Sequence, residues 1–404
     1  MNILYINHYA GGPPWGMEFR PYYLAREWVR SGHRVTMLAA DFSHVRATQP
    51  RDGGQMLDGI SYHFYATPSY LGNGVGRAKN IWAFLAAVWR DGDRLAHELR
   101  PDVVIASSTY PMDIWVARRI ARRARARLVY EVHDLWPLSP SELSGMSPWH
   151  PFARLCQAAE NAACRDADVV VSMLPKVHEH LAAHGLDLRK LHIVPNGIAL
   201  DEWQGSAAPL REDVANALQV ARAAGKTVVG YAGSMGLPNA LDVLLDAARE
   251  LKHERLHFVL VGDGHERARL VQRIPDEALV NVSLLTPIPK AQVPSLLAAI
   301  DIAYIGWQRV PIYRFGIAPN KLMDYMMAGC AVLHSVQAGN DPVAESGCGL
   351  TVAPESIAAV AEGLRHLASL TPQERATMGQ RGRNFMLAHH TYPVLAQRFL
   401  AAVA

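Results

Sequence analysis

At 404 residues, half of them hydrophobic and 19% charged, the chain has an ordinary globular composition and the length for two or three domains. Forty Lys and Arg against 37 Asp and Glu leave a net charge of +3, too small a bias to argue for nucleic acid as a partner. Four cysteines, Cys156, Cys164, Cys330 and Cys348, form no C-x-x-C arrangement, which argues against a zinc site or a disulfide framework and fits a reducing cytoplasm. ILYIN follows Met1 with no basic or apolar leader. The longest apolar run, IWAFLAAVW from Ile81, has about nine residues against the roughly 20 that span a bilayer, so membrane contact is expected to be peripheral at most.

Short, β-branched apolar runs predict strands at 3–7, 35–39, 60–66, 103–107, 128–132, 169–172 and 192–195. Helical periodicity lies between them, as at Ile81, Leu85, Val88 and Trp89. Strands apolar throughout belong in a parallel sheet covered on both faces, here a doubly wound α/β domain over residues 1–199. A polar, alanine-rich stretch at 201–225 breaks the pattern. It resumes with strands at 227–233, 257–262, 281–285, 301–305, 331–335 and 349–352, a second domain over 200–385. The stretch 386–404 ends in a helix at 392–403 able to cross back to the first domain. The expected fold is thus α/β, two Rossmann-like, doubly wound parallel-sheet domains facing one another. Ligands of such sheets sit outside the carboxyl ends of the strands.

Each half opens with a strand feeding a glycine-containing loop. The first, at 7–16, carries Gly11 and Gly12 ahead of a helix beginning near Glu18; the second, at 231–236, carries Gly233 and Ser234 ahead of a helix at Leu241. Glycines there let the backbone approach a ligand and aim amides at phosphate oxygens. Neither loop is a G-x-G-x-x-G fingerprint or a P-loop, which counts against nicotinamide and ATP. GNGVG at 72–76 follows no strand and reads as a flexible loop.

In EVHDLWP, at 131–137, His133 closes a strand. It is either a group that bonds a substrate hydroxyl or carries a proton, or a structural imidazole paired with a neighbouring carboxylate. The strand at 301–305 empties into GWQRVPIYRFGIA, with Arg309 and Arg314, and then into PNKLMDYMMAG, where Pro319 is expected at the first helical position. The helix's free amides, its dipole and Lys321 make a seat for a diphosphate, with Asp324 one turn on for a sugar hydroxyl. The alternative is an ordinary ion pair between Lys321 and Asp324 at i, i+3.

No metal ligand is assigned. Asp91-Gly92-Asp93 lies late in a helix, Asp166-Ala167-Asp168 precedes a strand, and His178, His180 and His184 lack H-E-x-x-H spacing and read as surface histidines. Six arginines and no acid lie between 118 and 127, either a solvated helix face or a patch for anionic lipid or a phosphorylated acceptor.

The segments YINHYAGGPPWGMEFRPYYLAREW, EVHDLWP, IVPNGI, YAGSMGLPNALDVLLDA, VGDG and KLMDYMMAG followed by AVLHS occur in this order over nearly the whole chain. Together they resemble the retaining glycosyltransferases of family 4, with the GT-B fold. The similarity is greatest to the bacterial branch that builds O-antigen, capsule and other surface polysaccharides, typified by fucosamine transferases. The resemblance implies transfer of a hexosyl or N-acetylhexosaminyl group from a nucleotide diphosphate donor, UDP-linked, to a glycan or lipid-diphosphate acceptor. It also implies retention of configuration, no metal, no cofactor, and a cytoplasmic protein peripheral to an anionic membrane.

By the same resemblance Gly11 and Gly12 lie beside the donor diphosphate and His133 contacts the transferred sugar. Gly262 and Asp263 form the turn beneath the nucleotide, Ile288 meets the base, and Asp324 binds the ribose as the last carboxylate of an E-x7-E motif. Gly316 stands where that motif's first glutamate would, and Ser234 and Asn239 stand where a diphosphate-binding Arg and Lys would. Lys321, helped by Arg314 or Arg309 and by backbone amides after Gly316, among them Ile317 and Asn320, is therefore expected to hold the leaving charge. Glu18 and Arg20 are expected near the acceptor, with Glu18 alternatively a helix-start acid. The competing readings are a non-hydrolysing UDP-sugar epimerase, a sugar-nucleotide-binding protein without chemistry, and a degenerate transferase that needs a partner subunit.

Overall fold

The computed structural model describes every residue except Met17, Asn73 and Ser206. Asn73 of GNGVG and one residue of each of the stretches 15–20 and 201–225 therefore lie outside the described residues. The chain divides into two compact units, Met1–Asn196 with Tyr392–Ala404, and Gly197–Thr391.

The first unit is built on an eight-stranded sheet of β1 (Asn2–Ile6), β2 (Arg34–Ala40), β3 (Gly53–Leu57), β4 (Ile60–Tyr65), β5 (Val103–Ala106), β6 (Arg127–Val132), β7 (Val169–Ser172) and β8 (Leu191–Ile193). Their order is β3-β4-β2-β1-β5-β6-β7-β8. β1 lies between β2 and β5, parallel to both, with Tyr5 and Ile6 wholly buried. The edge strand β3 was not expected. GGQML has no β-branched residue and alternates in burial, and it runs antiparallel to β4. The connection is Asp58-Gly59, both at positive φ, +48° and +79°, which is the two-residue turn whose twist suits a hairpin.

The helix Val75–Leu99 buries Ile81, Leu85 and Val88 as its periodicity predicts, but Trp89 is 44% exposed, with the Arg119 guanidinium 4.7 Å from its ring. The helix Tyr392–Val403 belongs to this unit. Its Ala396 carbonyl accepts from the Trp28 indole at 3.2 Å, and Phe399 and Tyr392 pack on Trp28 and Tyr23.

The second unit carries a six-stranded, wholly parallel sheet of β9 (Thr227–Ser234), β10 (Leu256–Asp263), β11 (Val282–Leu285), β12 (Ile302–Gly306), β13 (Ala331–Ser335) and β14 (Gly349–Val352), in the order β11-β10-β9-β12-β13-β14. Ile198 donates to the His390 carbonyl at 2.7 Å, so residues 197–199 and 386–391 lie with this unit. The helix Asn320–Met327 buries Leu322, Met323 and Met326. Pro319 sits one position earlier than expected, at the N-cap, with ψ 128°, because its extended backbone leads the loop into the helix rather than opening it. Among the described residues no helix is long and apolar enough to cross a membrane.

Candidate active site

β9 and β10 run in register to their carboxyl ends, with Gly233 opposite Gly262 and Ser234 opposite Asp263. A Cβ on Gly262 would fall 1.9 Å from the Gly233 carbonyl oxygen, so the two strand ends approach more closely than any side chain permits. Beyond them opens a cleft of about 350 Å³, closed on its far side by the helix Asn320–Met327. Gly233, Ser234, Gly262, Asp263, Ile288, Lys321 and Asp324 all line it. Arg314, Gly316, Ile317 and Asn320 do not.

Lys321 is the cation of this cleft. Its Nζ donates to the Tyr231 hydroxyl at 2.7 Å and to the Asn239 Oδ1, and lies 4.7 Å from the centre of the Tyr231 ring. Among the described residues no carboxylate pairs with it, and burial pulls its pKa from 10.5 down to about 7. The i, i+3 ion pair with Asp324 is therefore not formed. Asp324 lies one turn along, pushed up to about 7 by burial; Lys290 opposes that rise and Glu202 adds to it. Those two are themselves joined at 2.7 Å. Tyr325, next in the helix, ties it to β9 through its hydroxyl, which accepts from the Ala232 amide at 2.8 Å.

Of the backbone after Gly316, the Ile317 amide is not free as expected. Gly316, at φ +109°, donates to the Tyr313 carbonyl at 2.9 Å, and the Ile317 amide donates to Asn340 Oδ1 at 2.7 Å while Asn340 Nδ2 returns a bond to the Ile317 carbonyl. Arg314 is exposed and lies 4.2 Å from the Phe315 ring, Arg309 is exposed, and Asn320 is the exposed first residue of its helix. Lys321 thus has less backbone help than the sequence suggests.

In the first unit His133 follows β6 directly and is 8% exposed. Its Nε2 lies 2.8 Å from Ser107 Oγ and 3.3 Å from Glu131 Oε2. Glu131 is wholly buried, accepting from Tyr5 at 2.5 Å, Ser107 at 2.7 Å and Arg20 Nε at 2.9 Å. Burial opposes the Glu131 charge, but Arg20 and His133 outweigh it and hold the carboxyl well below the usual range. For His133 burial favours the neutral ring, and Glu131, with a smaller contribution from Glu18, reverses that and raises its pKa. The carboxylate partner of the structural reading is thus present.

Arg20 is not placed for an acceptor. It is 2% exposed, and its remaining donors go to the Pro195 and Val194 carbonyls at 2.6 and 2.8 Å. Glu18 is half-buried. The Gly11 and Gly12 amides are used within their own loop, donating to the Glu18 and Gly16 carbonyls at 2.9 and 3.0 Å, so they are not the free phosphate donors expected.

Sequence reasoning missed Glu131, Tyr231 and Asn239 as working partners of His133 and Lys321. The signal for Glu131 was its place in β6, two residues before His133. Three of the six arginines of the run meet acids, Arg118 on Asp166 and Arg119 and Arg123 both on Asp93, and Arg127 donates to the Ala404 main-chain oxygen. His178 is exposed as expected, while His180 and His184 are half-buried and lie on buried Glu160.

Residues 16–197 match the family described as glycosyl transferase 4-like domain, and residues 226–369 match glycosyl transferases group 1. The putative colanic acid biosynthesis glycosyl transferase WcaI of Escherichia coli is 24% identical over 257 residues, 61% of each chain, so the match spans under two thirds of that relative's length. The probable glycosyltransferase WbjE of Pseudomonas aeruginosa is 21% identical over 340 residues, 81% of this chain and 80% of its own. Among solved structures, sucrose-phosphate synthase of Thermosynechococcus elongatus has a TM-score of 0.74 at 16% identity, covering 99% of this chain and 98% of its own. HepE of Anabaena in complex with UDP and glucose gives 0.67 at 19%, with the same coverage. These likenesses and the two parallel-sheet units make the fold GT-B. The chain belongs to the GT-B glycosyltransferases of the family 4 type.

Proposed function

We propose that the protein transfers a sugar from a UDP-linked donor to a glycan or lipid-diphosphate acceptor, with retention and without a catalytic metal, in the assembly of a surface polysaccharide. The observation that carries the reading is Lys321, a half-buried amine that among the described residues bonds only to neutral oxygens, beside strand ends that glycines leave bare. Such a cation is electrostatically incomplete until an anion enters, and a donor diphosphate supplies it. In the reaction the bond from C1 to the diphosphate oxygen breaks and its electron pair stays with the diphosphate. The acceptor oxygen bonds to C1, and the acceptor's proton passes to the diphosphate. Lys321 meets the departing charge and Asp324 takes the ribose. The names of WcaI and of HepE with UDP support the polysaccharide and the nucleotide. Trp82 and Trp89, exposed on one helix, support a peripheral meeting with a membrane that carries the acceptor.

The test is a thermal-shift panel of UDP-, GDP- and ADP-sugars with EDTA present, followed by transfer assays with and without acceptor. A rise in melting temperature confined to UDP-sugars, with product only when acceptor is added, is expected. A second UDP-sugar formed from the donor alone identifies an epimerase, and turnover that needs added Mg²⁺ or Mn²⁺ in protein never exposed to chelator refutes the metal-free reading.

A further inference from the structure

Glu160, His180 and His184 come together in the first unit, outside every residue assigned to donor or acceptor. Glu160 lies in the helix Pro151–Asp166 and is 1% exposed. His180 and His184 lie four residues apart, on one face, in the helix His178–Ala183 and at its C-cap. One nitrogen or oxygen from each of the three falls within 4.8 Å of the others. His180 Nε2 is 3.0 Å from Glu160 Oε1, His184 Nε2 is 3.9 Å from Glu160 Oε2, and the two rings are 4.5 Å apart.

The geometry points to a binding site for one divalent transition-metal ion of the zinc type, held by Glu160, His180 and His184. Three arguments support it. A carboxylate this deeply buried needs a compensating positive charge, and among the described residues no Lys or Arg reaches Glu160. Two imidazoles and a carboxylate form a donor set that suits zinc and leaves a fourth position for water, whereas calcium and magnesium favour oxygen alone.

The outer groups are also arranged. Asn161 Oδ1 sits 3.0 Å from His184 Nδ1, which turns the Nε2 lone pair toward Glu160. Gln157 Nε2, itself 3.0 Å from His184 Nδ1, donates to Glu160 Oε2 and Asn161 Oδ1, each at 2.9 Å. The ion would clamp a helix of only six residues, too short to hold itself, onto its longer neighbour.

Tag-free full-length protein, stripped with EDTA and desalted, is titrated with Zn²⁺ by calorimetry and with Co²⁺ by visible absorption. The expected result is one equivalent bound, a cobalt spectrum of low coordination number, and a melting temperature raised by saturating Zn²⁺. Glu160→Gln and His184→Asn each weaken binding at least tenfold. Circular dichroism confirms that these variants are folded, and the cobalt spectrum, read only on folded protein, keeps the test valid if either is less stable. No stoichiometric binding to the wild-type protein overturns the site, as does equal binding by the folded variants.

Discussion

Removing or titrating Lys321 should change donor affinity over a pH range in which Asp324, in the same cleft, also titrates. With its pKa at about 7 in the empty protein, about nine tenths of the molecules carry the ammonium at pH 6 and about one tenth at pH 8. A diphosphate binds the charged form, so apparent affinity falls with the charged fraction, roughly tenfold between those pH values. Binding takes up a proton, because the anion restores the lysine's ordinary pKa. In Lys321→Ala the lysine's share of the pH slope disappears, leaving what Asp324, pushed to about 7 in the same cleft, contributes, and the charge-assisted bonds go with it, at about 1.5–3 kcal/mol or roughly 10- to 150-fold in Kd.

Calorimetry with a UDP-sugar, whose diphosphate does not titrate in this window, in two buffers of different ionisation enthalpy reads both the affinity and the proton. A wild-type Kd that moves by less than twofold from pH 6 to 8, or a Lys321→Ala Kd within twofold of wild type, refutes the reasoning. The sign for folding is opposite. A lysine whose pKa is lowered holds fewer protons folded than unfolded between about 7 and its ordinary value, so the empty protein gains stability as pH rises through that range.

Three other substitutions probe the rest of the site. Glu131→Gln leaves the buried Arg20 guanidinium without its carboxylate and should cost about 3–5 kcal/mol by denaturant unfolding, with a fall in the His133 pKa seen by NMR; an unchanged midpoint would show the pair to be dispensable. Asp324→Asn removes a carboxyl that burial already pushes to about 7, so stability should hold while donor affinity drops about tenfold, and a 2′,3′-dideoxyribose donor should show no such drop. Gly262→Ala places a methyl against the Gly233 carbonyl and should part the ends of β9 and β10, at about 1–3 kcal/mol and with loss of donor binding; binding at wild-type strength would mean that the strand ends can yield.

Most strands of both sheets were legible because a parallel strand is apolar on both faces and announces itself as an unbroken run, as in VVIA of β5 and AVLHS of β13. β3 was not, because an edge strand needs no such run, and its only signal was the Asp58-Gly59 turn. In the cleft, Gly262, Asp263, Lys321 and Asp324 were readable from motif and helix position. The partners of Lys321 were not. Tyr231 and Asn239 lie 90 and 82 residues away and carry no charge, so no local pattern pairs them with it. The Arg20 to Glu131 bond, across 111 residues, was hidden in the same way, and Arg20 taken alone read as a group for the acceptor.

The last helix fixes an order of events during synthesis. The Trp28 indole near the amino terminus is capped by Ala396, so the first unit stays unfinished until the final residues have left the ribosome. The segment 197–391 is continuous and free of that wait, and it has the opportunity to fold first although it is made second. A fragment ending at residue 196 would be born with an open seam, whereas 197–391 is the natural piece to express alone.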